Sequence, residues 1–114
     1  MARVLDLNQV QGSLLDVTLT DEQQTVLHLD IPTEALVQEM QAMRPEIRKI
    51  KSGDKNAVDM LYEITARILS CNQDYITVTK DDLQSGKYKM NLVYLVSIFG
   101  AYFSAIDELA QQKN

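Results

Sequence analysis

The chain carries one histidine, His28, and one cysteine, Cys71, the two side chains best suited to nucleophilic or metal chemistry near neutral pH. His28 alternates with apolar residues in Val26-Leu27-His28-Leu29 and shares a strand face with Val26 and Asp30. A catalytic base needs both a nucleophile and an orienting partner. Cys71 is expected at the end of a helix, away from the N-terminal dipole that would lower its pKa. A surface histidine and a half-buried thiol are the simpler roles. One His and one Cys leave only scattered carboxylates for a metal, so no metal site is expected. Asp81-Asp82 and Asp107-Glu108 are sequence neighbours that diverge on a helix, and they read as capping and solubility residues. The glycines at 12, 53, 86 and 100 stand singly, which leaves no phosphate-cradling loop. The expectation is a protein that is not an enzyme and takes no cofactor.

Charge and composition narrow the class further. The 114 residues suit one domain spanning 1–114, and the formal net charge is −5. An acidic chain is repelled by nucleic-acid backbone as a whole. The local exception is Arg44, Arg48, Lys49 and Lys51. That group reads either as an anion or partner patch or, the commoner role, as a solvated connector. A single cysteine excludes a disulfide framework within the chain. Met1 to Asp6 shows no apolar run of the signal-peptide kind. The uncharged stretch 90–106 includes Asn91, Ser97, Gly100 and Ser104 and is shorter than a typical span of roughly 20 residues. A soluble, cytoplasmic protein without membrane or nucleic-acid partners is expected.

The elements follow from periodicity. Leu15, Val17 and Leu19 alternate with Asp16, Thr18 and Thr20, and Thr25, Leu27, Leu29 and Ile31 alternate with Val26, His28 and Asp30, predicting two strands of a hairpin joined by Thr20 to Gln24. The connection has no glycine, which argues against a two-residue type I′ turn. Pro32-Thr33-Glu34 starts a helix with Thr33 as its cap. Leu36, Met40 and Met43 form its stripe, and Pro45 should end or kink it; Ile47 and Ile50 carry the spacing on, as a kinked continuation or a short second helix. Ser52-Gly53-Asp54 is a break. A helix follows from about Lys55 to Ser70, with Val58, Leu61, Thr65, Ile68 and Leu69 on one face and Ala57, Met60 and Ile64 widening it. Tyr75 to Val78 is β-prone or extended. Thr79-Lys80-Asp81-Asp82 resembles a capping box and starts a short helix ending near Gly86. The last helix lies within Lys87 to Gln112. The predicted fold is α+β, mostly α: an N-terminal β-hairpin followed by three principal helices and one short helix.

That last helix is the strongest functional signal. Leu92, Leu95, Val96, Phe99, Tyr102, Phe103, Ile106 and Leu109 make an apolar face, yet the other side carries Tyr94, Ser97, Ala101, Ser104 and Ala105 rather than charge. A helix apolar nearly all round needs a second surface to cover it. Tyr94, Ser97, Ala101 and Ala105 are therefore candidate partner-binding residues. Leu36, Met40 and Met43 are a second candidate surface, because methionine adapts to varied partners; an ordinary core stripe is the competing role.

The order of motifs resembles a known family. Val4-Leu5-Asp6-Leu7 precedes the hairpin, and Leu27-His28-Leu29 runs into Ile31-Pro32-Thr33-Glu34-Ala35-Leu36-Val37. Leu61-Tyr62-Glu63-Ile64 leads to Ile68-Leu69-Ser70-Cys71-Asn72. Thr79-Lys80-Asp81-Asp82-Leu83 follows, and then Phe99-Gly100-Ala101-Tyr102-Phe103. Over nearly its whole length the chain is similar to the tail assembly chaperones of long-tailed (siphovirus-type) phages and prophages of Gram-positive hosts. It departs from them in the hairpin turn, where Asp21-Glu22 stand in place of a glycine. The resemblance implies a protein that binds the long helical tape measure protein in the host cytoplasm and keeps it soluble until tail-tube subunits polymerise around it. It also implies absence from the mature virion. The tail tube protein, a longer frameshifted form of the chain and further copies of itself are implied partners, and Gln112-Lys113-Asn114 is compatible with an A-rich slippery site. The alternative from another class is a structural tail or head–tail completion protein retained in the virion; a third is a small prophage regulator acting on a host protein.

Overall fold

The computed structural model describes residues 14–50, 53–84 and 88–111. Val4 to Leu7, Lys51, Ser52, Gly86 and Gln112 to Asn114, which entered the expectations above, lie outside the described residues. Among the described residues the architecture is the expected one: a two-stranded antiparallel hairpin followed by three principal helices and one short one.

β1 (Leu15–Thr18) pairs with β2 (Val26–Leu29) in a register that sets Leu15 opposite Leu29 and Val17 opposite Leu27. Alternation puts Leu27 and Leu29 in the core and leaves Val26 outside. The turn manages without glycine. Gln24 takes a left-handed φ of 50°. The Asp21 carboxylate accepts from the Thr25 N–H at 2.9 Å and from the Thr25 hydroxyl at 2.6 Å, and the Asp21 carbonyl accepts from the Gln24 N–H. An aspartate side chain thus ties the turn that a glycine would otherwise ease.

α1 (Glu34–Ile50) begins at Thr33, whose hydroxyl accepts from the Leu36 N–H at 3.2 Å, and it runs through Pro45. Pro45 cannot donate to the Gln41 carbonyl, a defect that costs about 3 kcal/mol in a free helix. Buried Met40 and Met43 on one side and half-buried Ile47 and Ile50 on the other keep the helix continuous by packing. α2 (Lys55–Ser70) is capped by Asp54, whose carboxylate accepts from the Asn56 and Ala57 N–H groups. It is the hub: α1, α4, the short α3 and β2 all pack on it. Accordingly Ala57, Leu61, Ile64, Thr65, Ala66, Ile68 and Leu69 are buried. Met60, expected on that face, is exposed instead.

Residues 71–74 return along β2. The Asp30 N–H donates to the Cys71 carbonyl, the Gln73 N–H donates to the His28 carbonyl, and Leu29 bridges Asn72. Asn72 knots the turn, donating to the Leu69 and Ile76 carbonyls and accepting from the Asp74 and Ile76 N–H groups. Tyr75 to Val78 forms no strand. α3 (Lys80–Gln84) opens on the reciprocal capping box: Thr79 accepts from the Asp82 N–H at 3.2 Å, and Asp82 accepts from the Thr79 N–H at 3.0 Å. α4 (Leu92–Gln111) completes the fold.

Candidate partner-binding surface

α4 is held at three points. Its entry is fixed by Asn91, whose side chain accepts from the Tyr94 N–H at 3.1 Å. Just before it, the Met90 carbonyl accepts from the Tyr62 hydroxyl at 2.9 Å, and the Met90 N–H donates to Leu83. In mid-helix the Tyr102 hydroxyl donates to the Asp30 carbonyl at 2.6 Å. Burial pushes the Tyr102 phenol far above its ordinary range, with Cys71 and Asp30 adding to the effect. Leu95, Ile98, Phe99 and Tyr102 enter the core, and Leu92, Phe103 and Ile106 pack partly against it.

The other side of the helix is uncovered. Val93 is 71% exposed, Tyr94 46% and Val96 40%; Ser97, Gly100, Ala101 and Ser104 are exposed as well. Val96 was expected in the packing face, and Ile98 takes that place instead. A side chain placed at Gly100 would meet nothing within 4 Å. This glycine is therefore not required by the chain's own packing, although it weakens a helix interior by about 1 kcal/mol. Three of the four candidate residues on α4, Tyr94, Ser97 and Ala101, share the uncovered surface; Ala105 is half-buried.

The second candidate surface is not a surface. Leu36, Met40 and Met43 are all buried, Met40 completely. Their spacing marked a helix face correctly, but that face is spent on α2. The structure therefore places three of the seven candidates in a core stripe and three in an exposed patch on a different helix, with Ala105 half-buried at its edge.

The window Leu92–Leu109 is also long and apolar enough, by length and composition, to cross a membrane. This differs from the sequence expectation, which counted only the uncharged residues 90–106. In the folded chain one side of that window is core and Tyr102 is anchored to the hairpin strand.

The histidine and the cysteine stay apart from this surface. His28 Nδ1 lies 3.1 Å from Asp74, and its backbone N–H donates to the same carboxylate at 2.8 Å. The backbone hydrogen bond and then the ring contact hold the Asp74 carboxyl below its ordinary value. Cys71 Sγ lies 3.8 Å from the Tyr102 hydroxyl. Among the described residues no three His, Cys, Asp or Glu side chains gather to hold a metal.

Of the basic cluster, Lys49 pairs with Glu46 at 3.2 Å, whereas the Arg44 guanidinium sits 4.9 Å from the centre of the Phe103 ring. Compared with protein-family models, with curated proteins and with solved structures, the chain has no match.

Proposed function

We propose that this protein is a phage tail assembly chaperone that binds the tape measure protein and keeps it soluble during tail morphogenesis. The observation that supports the reading is the uncovered side of α4. Its twenty residues include no charge before Asp107, and Val93, Tyr94 and Val96 stand in solvent beside Ser97, Gly100 and Ala101. A helical client with an apolar stripe offers the matching surface. Small residues let a second helix approach closely, and Tyr94 supplies an aromatic anchor. The net charge of −5 keeps such a surface soluble until the client arrives. The order of motifs from the hairpin to Phe103 supports the same assignment.

The test is co-expression with the tape measure protein, followed by affinity capture and a solubility assay. Many copies of this chain co-purifying with a solubilised tape measure protein is the expected result, together with absence of the chain from purified virions by mass spectrometry. An abundant, stoichiometric virion band would instead make it a structural component.

A further inference from the structure

α1 and α4 both pack on α2 but not along one another, and the space between them is an open trough of about 530 Å³. Its walls are Ile47 and Pro45 on one side and Phe99 on the other, with Gln41, Arg44 and Arg48 along the α1 rim. Arg44 reaches across to the Phe103 ring, which in turn lies 5.9 Å from the Phe99 ring. Val96 stands one turn before Phe99 and two turns before Phe103, so the exposed apolar surface of α4 continues into this trough.

The charge here is opposite to that of the whole chain. Among the described residues no carboxylate lines the trough. Among the described residues Arg67, Lys80 and Lys49 have acidic partners, while Arg44 and Arg48 have none. A smaller cleft of about 210 Å³ between α1 and α2 makes the contrast: Glu39 and Glu63 both line it, and its one arginine, Arg67, is paired with Glu39. Two unpaired guanidiniums beside an apolar floor favour carboxylates next to apolar side chains. A trough bounded by two helices accepts a third helix laid along it.

We infer that the trough between α1 and α4 seats an amphipathic helix of the client that carries acidic residues beside its apolar stripe, with Arg44 and Arg48 receiving the carboxylates. This rests on the reading of the chain as a tape measure chaperone and names the place and charge of its client contact.

The test compares wild-type protein, R48E and the double variant R44E/R48E in capture of co-expressed tape measure protein, with far-UV circular dichroism as the folding control. R48E alters an exposed side chain, so it keeps the test valid if the loss of the Arg44–Phe103 contact perturbs the double variant. Tape measure fragments that bind wild-type protein are then measured by anisotropy at two salt concentrations. The expected result is at least a tenfold loss of affinity in R48E, a weaker salt dependence, and recovery when Asp and Glu of the bound fragment are changed to Lys. Equal capture by wild type and both variants overturns the trough while leaving the chaperone reading intact. No capture by wild type overturns both. Sedimentation showing wild-type self-association that R48E abolishes, with client capture unchanged, would make the occupant a second copy and overturn the inference.

Discussion

The Tyr102 hydroxyl, at the middle of α4, donates to the Asp30 carbonyl at the end of β2, 2.6 Å away and 72 positions earlier in the chain. This bond ties the last helix to the hairpin on the side that its core residues already bury. Tyr102→Phe should destabilise the fold by about 1 kcal/mol, measured by urea unfolding. The phenol's pKa is raised in the folded state, so its contribution is complete below the unfolded value of about 10 and is lost as pH rises above that. The alkaline fall in stability should therefore be shallower in Tyr102→Phe; Tyr88, also raised by burial, retains part of it. An identical alkaline limb in both proteins would remove Tyr102 from this role.

Asp74 reports on the other end of the pH scale. Its carboxyl is held below its ordinary value by the His28 backbone and ring. A depressed carboxylate stabilises above its unfolded pKa, and that stability disappears as pH falls through the folded one. Wild-type protein should lose stability below about pH 4, and Asp74→Asn should lose less over the same interval. Thermal melts between pH 2 and pH 6, roughly the window set by these values, measure the difference.

Thr65 is fully buried in α2, and among the described residues its hydroxyl has no hydrogen-bond partner. An unmade bond in the core costs more than an absent hydroxyl. Thr65→Val should be neutral or stabilising by up to about 1 kcal/mol. Clear destabilisation in denaturant titration would show that the hydroxyl has a partner in solution.

Tyr75 is 97% exposed and sits at a φ of 59°, a left-handed backbone for a bulky residue. That conformation costs roughly 1 kcal/mol in an L-residue, less in asparagine. Tyr75→Asn should raise stability by about 0.5 kcal/mol on this basis. A drop in the melting temperature would mean that the tyrosine ring contributes to the fold.

Met40 and Tyr94 separate the core from the proposed contact surface. Met40→Ala opens the fully buried stripe and should cost about 2–5 kcal/mol. Tyr94→Glu and Ala101→Glu place charge on exposed positions, so stability should stay within about 0.5 kcal/mol while capture of the tape measure protein falls. Normal capture by both glutamate variants would remove this side of α4 from the client site.

Local rules made much of this chain legible. Strand alternation, the caps at Thr33 and Thr79, and the break before Asp54 act within a few residues, so the hairpin and the four helices could be read from spacing. The Asp21 clamp uses residues four apart, but sequence showed only that a glycine was missing, not what replaced it. Continuity through Pro45 was open, because packing on α2 rather than local preference decides it.

Periodicity determined that α4 and the Leu36, Met40, Met43 stripe carry apolar faces. It could not say which face meets the chain's own core, since hydrophobicity has no direction. Only tertiary structure decided that: α2 lies against α1 and α4 at once, buries Met40 and Tyr102, leaves Val93 and Tyr94 in solvent, and opens the trough where Arg44 meets Phe103.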